Sequence, residues 1–265
     1  DSSGSGFVVD IGGKKYIATN AHVAEAAEVI KVRLADGKKN YPSSVLWIDH
    51  ECDLAILELP ERLQSSVSPL KMNEQSPSLG ESVYVVGFPQ MGEEICITNG
   101  VVSRRELDEY VHSGRVLLQY GVDAVINPGN SGGPVFDHSG HVIGVAFQGA
   151  NNGQGFIIPV EIYQHMARDF ANKTKGGFPD LAIEWQNTSN RVLRKKYRLN
   201  KKSGGVLINK VHPLSDAYGL LQPSDIVTHI NGHKISSEGT VKLKGCGRVD
   251  FEYLVSRENI PSHIE

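Results

Sequence analysis

The stretch Gly129-Asn130-Ser131-Gly132-Gly133-Pro134 decides how this chain is read. A serine hydroxyl is a poor nucleophile at neutral pH, so it needs a neighbouring base and N–H donors aimed at the oxyanion it creates. The glycines answer the second need. Without Cβ atoms, Gly129, Gly132 and Gly133 let the backbone turn tightly and let a carbonyl approach the N–H groups of Gly129 and Ser131. Alone, the string is equally a Gly-rich turn. Two other stretches favour the chemical reading. Phe7-Val8-Val9 and Tyr16-Ile17-Ala18, separated by the turn signal Asp10-Ile11-Gly12-Gly13, read as a hairpin, and His22 follows its second strand in Ala18-Thr19-Asn20-Ala21-His22-Val23. Asp53 opens Leu54-Ala55-Ile56-Leu57, an apolar run suited to a buried strand, and offers a carboxylate to orient an imidazole.

The order His22, Asp53, Ser131 and its local contexts resemble those of chymotrypsin-fold serine proteases. The finer resemblance is to the HtrA/Deg family. It rests on Ser5-Gly6-Phe7-Val8-Val9, Thr19 to Val23, Cys52 to Leu57, Ile126 to Pro134 and Gly155-Phe156-Ile157-Ile158-Pro159, which span most of the first 160 residues. Asn130 suits this branch, because digestive relatives carry Asp there to pair with a freshly cut N-terminus. The resemblance implies a mainly β fold: a chymotrypsin-like double β-barrel protease domain followed by a PDZ-like domain. Strand counting alone does not separate two barrels from a sandwich. It also implies catalysis by His22, Asp53 and Ser131, with an oxyanion hole from Gly129 and Ser131.

In relatives that cut after Lys or Arg, an acidic residue lies six positions before the serine. Here that position is Val125, followed by Ile126, with Val145-Ala146-Phe147 as further wall. Such a pocket cannot compensate a buried cation, so cleavage is expected after small to medium apolar residues. The competing reading of Val125 is ordinary core. Asp123 matches a family position that organises the loop rather than the triad. By the same resemblance, Gly87 to Ser103 holds one active-site loop and Glu106 to Gly114 the loop that senses regulators.

The 265 residues allow two domains. The expected boundaries are 1–172 for the protease domain, 173–177 for a polar linker and 178–265 for the PDZ-like domain. Within the first, strands are expected at Val29 to Leu34, Ser44 to Asp49, Leu54 to Leu59, Ser82 to Gly87, Glu94 to Arg104, Val116 to Tyr120, Val135 to Phe136 and Val142 to Gln148. A helical turn is expected at Ala24 to Glu28. A closing helix over Glu161 to Ala171 would present Ile162, Met166 and Phe170 on one face. A net charge of -3, from 27 Lys and Arg against 30 Asp and Glu, points to neither nucleic acid nor an anionic membrane. Cys52, Cys96 and Cys246 lack CxxC spacing, no HExxH pair occurs, and no apolar run reaches the length of a membrane span. No metal and no organic cofactor is expected. Asp1 is not an initiator residue, which reads as a trimmed chain.

After the linker, Asp225-Ile226-Val227-Thr228-His229-Ile230-Asn231-Gly232 resembles a PDZ landmark, a strand ending in an Asn-Gly turn. Phe251 to Val255 reads as a late strand. PDZ domains add an extended peptide to a sheet edge and hold its carboxylate on backbone N–H groups. By position that loop is Pro179-Asp180-Leu181-Ala182. Only Ser236 to Leu243 is available for the helix that walls the groove, and it carries Gly239, Thr240 and Val241. An interface role for this domain is therefore a competing reading. The basic run Arg191 to Arg198 with Lys201 and Lys202 reads as a solvated helical face.

The resemblance, closest to the plant-type Deg subgroup, implies an ATP-independent endopeptidase that degrades unfolded or misfolded proteins and assembles as a trimer or a multiple of trimers. A chaperone or scaffold with low activity, and a processing protease with one substrate, are the alternatives. Plastid, mitochondrion, nucleus and bacterial envelope all stay open as compartments.

Overall fold

The computed structural model describes residues 3–25, 27–74, 76–89, 94–149, 153–200, 202–244, 247–260 and 264. Cys246, Lys201 and part of the Gly87 to Ser103 segment lie outside the described residues. Contacts divide the chain into two compact units, Asp1–Gly177 and Phe178–Glu265.

The first unit begins with the expected hairpin, β1 (Phe7–Ile11) and β2 (Lys14–Thr19), in the register Phe7↔Ala18 to Ile11↔Lys14. The helical turn comes earlier than expected: α1 (Ala21–Ala24) contains His22. The short strands β3 (Ile30–Val32) and β4 (Tyr41–Ser43) pair only with each other, whereas β5 (Val45–Asp49) and β6 (Leu54–Glu58) join the hairpin in the order β1-β2-β6-β5. Ile17, Ala24, Ala55, Leu57, Leu59 and Leu63 form a core on one face, against which Ile30, Val32 and Tyr41 of the ribbon pack.

In the second half of this unit, β7 (Ser82–Gly87), β8 (Cys96–Glu109), β9 (Val116–Val122), β10 (Pro134–Phe136), β11 (Val142–Gly149) and β12 (Gly155–Pro159) run β10-β11-β12-β9-β8-β7. The ring returns on itself through only Val135↔Val85 and Phe136↔Tyr84.

The double β-barrel is therefore corrected. The first half is an open four-stranded sheet with a detached two-stranded ribbon. The local chemistry explains the opening. Pro42, opposite Lys31, has no N–H to donate to a further strand, and β3 is three residues long. At Ser44, whose carbonyl accepts the Glu58 N–H, the chain has already left the ribbon for β6. A cavity of about 930 Å³ lies between sheet and ribbon, lined in part by Phe7, Ile17, Ile30, Val32 and Leu57.

A second difference concerns the loop expected over Glu106 to Gly114. Glu106 to Glu109 continue β8 and pair with Val116 to Gln119 of β9, leaving a tight turn over 110–115. The alternation of polar and apolar residues was hidden there by charged side chains, because β8 is mostly half-exposed.

Helix α2 (Val160–Asn172) closes the unit. Ile162 and Met166 are buried, and Phe170 meets the rings of Tyr16 and Trp47 at 5.1 and 6.1 Å. The helix ends at Lys173 in the left-handed region, and the Asp169 carboxylate accepts the N–H groups of Gly176 and Gly177.

The second unit has three small sheets: β13 (Ile183–Asn187), β14 (Val206–Val211) and β15 (Ile226–Val227) in one; β16 (His229–Ile230) with β17 (His233–Lys234); and β18 (Thr240–Leu243) with β19 (Gly247–Asp250). Helix α3 (Arg191–Lys196) is capped by Asn190, buries no residue and carries the basic face. Ser236 to Leu243 forms no helix, because Thr240–Leu243 pairs as a strand and Gly239 turns against Trp185. Conversely, the expected strand at Phe251 to Val255 is a turn leading into α4 (Tyr253–Ser256). Phe251, Leu254 and Val255 are buried together at helical spacing, which a five-residue apolar run does not distinguish from a strand.

Beside this turn, burial pushes the Glu252 carboxyl up to about 7, with Asp250 and Asp180 adding repulsion and Trp185 opposing through a hydrogen bond. The folded state thus holds a proton on Glu252 that the unfolded chain, at 4.5, releases sooner. Stability from this group is full below about pH 4.5 and is lost as pH rises toward 7. We expect Glu252→Gln to remove this slope and to stabilise the unit above pH 7 by on the order of 2 kcal/mol. Urea unfolding read by Trp185 fluorescence in a Trp47→Phe background measures it; equal slopes for both proteins would refute it.

Candidate active site

Asp53 sits between Cys52 and the first residue of β6, with its side chain only 2% exposed and its backbone at φ 53°. A left-handed aspartate costs about 1 kcal/mol. The surroundings impose it. The Asp53 carbonyl accepts from Asn20 Nδ2 at 2.8 Å and from the Ala21 N–H at 3.1 Å. Its Oδ1 accepts the His22 N–H at 2.9 Å, and its Oδ2 lies 2.7 Å from His22 Nδ1. A carboxylate only accepts, so Nδ1 carries a proton and donates it toward Asp53. Cys52, beside it, is fully buried, and burial followed by Asp49 and Asp53 drives its thiol well above the ordinary range, which makes it an inert filler.

The serine loop packs by its backbone against the segment that leads into His22. Gly132 has φ 84°, and a Cβ there would fall 2.2 Å from the Ser5 carbonyl, 2.3 Å from Thr19 Oγ1 and 3.1 Å from the Asn20 N. A Cβ on Gly133 would fall 2.2 Å from the Val86 carbonyl. These two positions require glycine, and they seat the serine loop against the segment that leads into His22. The Ser131 hydroxyl donates to the Phe147 carbonyl at 3.3 Å rather than to His22. Among the described residues, the N–H groups of Gly129 and Ser131 meet no protein acceptor, and Gly129 lies at φ 99°. Neither N–H is spent on the protein's own backbone there.

Of the pocket candidates, Val125 is 45% exposed and its carbonyl accepts the Thr98 hydroxyl at 2.8 Å, whereas Ile126, Val145, Ala146 and Phe147 are buried. Ala146 exchanges backbone bonds with the serine loop, to Gly133 at 2.9 Å and from Gly132 at 2.8 Å. Asp123 binds the Val101 N–H of β8 at 2.5 Å. In the second unit, the Ala182 N–H within Pro179-Asp180-Leu181-Ala182 is already taken by Asp180 Oδ1 at 2.7 Å.

One residue with a large structural role has no chemical signal in the sequence. Ser5 donates its N–H to the Ser131 carbonyl at 2.8 Å and its hydroxyl to the Gly129 carbonyl at 2.7 Å. It also accepts from Thr19 Oγ1 at 2.7 Å and from the Phe88 N–H at 2.9 Å. Two of these four bonds hold the serine loop, at Gly129 and Ser131, and the other two tie Ser5 to Thr19 and Phe88. Its only sequence trace is its place ahead of Gly6-Phe7.

Residues 4–145 match the family model described as a trypsin-like peptidase domain. Protease Do-like 4, mitochondrial, of Arabidopsis thaliana is 40% identical over 269 residues, covering 100% of this chain and 51% of its own. Protease Do-like 2, chloroplastic, of the same organism is 36% identical, covering 97% of this chain and 42% of its own. The chain thus spans about half the length of the curated relatives it matches. Among solved structures, HtrA-type protease AlgW with tripeptide superposes with a TM-score of 0.70 at 23% identity, over 93% of this chain and 86% of that one, a likeness of fold.

A fluorophosphonate probe should form one adduct, on Ser131, and His22→Ala should slow its formation by about 10³-fold or more. Gly132→Ala should destabilise the first unit by more than about 2 kcal/mol, because Ser5 and Thr19 must both move. Intact-protein mass spectrometry and thermal unfolding read the two effects.

Proposed function

The chain belongs to the HtrA/Deg family of trypsin-like serine proteases, and from that premise we propose that it is an ATP-independent endopeptidase that degrades unfolded and misfolded proteins. The observation that carries the proposal is the 2.7 Å pairing of His22 Nδ1 with buried Asp53, next to a serine loop with two unengaged N–H groups. Ser131 Oγ attacks the scissile carbonyl carbon as its proton passes to His22 Nε2. Asp53 holds the imidazole and balances its charge. The N–H groups of Gly129 and Ser131 hold the oxyanion, each at roughly 3 to 4 kcal/mol in comparable sites. The proton then goes to the departing amine, and water releases the acyl group from Ser131. To start, the hydroxyl must turn from the Phe147 carbonyl toward His22.

That resting bond supports a second reading, a chaperone that holds unfolded chains and cuts rarely. Exposed, apolar Val125 favours small to medium apolar residues at the cut. The second unit we read as a PDZ-like module, residues 178–265, joined by 173–177 to a protease domain over 1–172. Its Pro179–Ala182 loop suits peptide carboxylates poorly, because the Ala182 N–H is committed and Asp180 stands near Asp250 and Glu252. An interface role is the better fit. From the family, the assembly is a trimer or a multiple of trimers. The mitochondrial and chloroplastic names of the relatives favour an organelle. Among the described residues, no helix is long and apolar enough to cross a membrane.

The purified chain should cut unfolded casein at many sites after apolar residues, and Ser131→Ala should abolish this, as mass spectrometry of the products would show. If neither protein cuts while both suppress casein aggregation, the chaperone reading replaces this one. Val125→Asp should raise cleavage after Lys or Arg relative to Val by at least about 100-fold, by supplying a counter-charge. An unchanged cut pattern would remove Val125 from the pocket.

A further inference from the structure

Beside His22, three side chains from three separate segments converge. Glu25 follows α1, His50 lies in the turn between β5 and β6, and His112 sits in the 110–115 turn between β8 and β9. His50 Nδ1 and His112 Nε2 are 2.9 Å apart. Glu25 Oε2 lies 3.6 Å from the first and 3.8 Å from the second. A triangle with these edges has a centre about 2.0 Å from all three atoms, the bond length that zinc makes to imidazole nitrogen and carboxylate oxygen. Glu25 and His50 are exposed, so an ion has a path in and room for a water as fourth ligand.

We propose that Glu25, His50 and His112 form an open, three-ligand site for a divalent transition metal of the zinc class, which fastens the 110–115 turn to the segment carrying His22. The chemistry of the donors agrees. Two imidazoles at 2.9 Å need one donor and one acceptor, and a metal replaces the shared proton while both rings donate lone pairs. Two nitrogens and one carboxylate oxygen exclude a calcium-type site, which takes six or more oxygens. The turn that would be held touches the candidate active site at both ends. The His112 ring is 6.2 Å from that of His22, and the Tyr110 ring is 4.8 Å from that of Phe147, whose carbonyl holds Ser131. It is already tied to the strand approach of Asp53, since the Ser113 hydroxyl donates to the Glu51 carbonyl at 2.9 Å. The inference does not depend on peptide hydrolysis.

The test titrates zinc chloride into the chelator-treated chain by calorimetry, with cobalt(II) absorption as a report on geometry. One zinc per chain, intense cobalt bands of a four-coordinate site, and a melting temperature raised by several degrees at saturation are expected. His50→Asn and His112→Asn should each weaken binding by about 100-fold and abolish the cobalt bands. Hydrogen exchange in the 110–115 turn should slow with zinc in the parent chain and stay unchanged in His50→Asn. Absence of binding, or binding with unaltered affinity in a folded His50→Asn variant, would overturn the site. Zinc binding that leaves exchange in the turn unaltered would overturn its role as a clip.

Discussion

The first unit depends on a steric constraint: residues 129–133 pass so close to Ser5, the end of β2 and β7 that no side chain fits at Gly132 or Gly133. The loop is pressed against the Ser5 carbonyl and Thr19 on one side and the Val86 carbonyl on the other. Ser5 then saturates the contact with four hydrogen bonds. This arrangement joins the open sheet to the six-strand ring, and the join determines where the serine stands relative to the histidine. Neither half could position Ser131 alone.

A second feature follows from the same economy of space. Asp53 accepts the His22 side chain and backbone with its two oxygens, while its own carbonyl receives Asn20 and Ala21. The left-handed backbone at Asp53 accompanies this arrangement, in which carbonyl and carboxylate both serve the start of one short helix. The strain is held by bonds to a carboxylate that is itself only 2% exposed. The serine loop leaves one hydroxyl on a weak 3.3 Å bond and, among the described residues, two N–H groups without a protein acceptor. The turn over 110–115 reaches both the histidine and Phe147, so its position bears on the site without belonging to it.

The second unit is organised differently. Its sheets are small, and Trp185 packs edge-on against the buried Phe251 ring at 5.2 Å. After burial itself, its acidic groups Asp250 and Asp180 both raise the pKa of the half-buried Glu252 carboxyl.

From the sequence alone, the mainly β character, the hairpin leading to His22, the apolar strand after Asp53, helix α2 and the glycine-bound serine were legible. In each, the signal is local: alternation, a turn pair, a helical stripe, or glycines where side chains cannot fit. Tertiary structure decided the rest. The ribbon of β3 and β4 left the sheet because Pro42 and strand length act only against a neighbour that the sequence does not name. Phe251 to Val255 became a turn and helix because burial on one side selected between two periods that five apolar residues satisfy equally. Ser5 gained its role from partners 14, 83 and 124 residues away. Glu25, His50 and His112 were invisible as a group, because their spacing fits no local ligand pattern and only the folding of three segments onto one another brings their donor atoms within bonding distance of a common point.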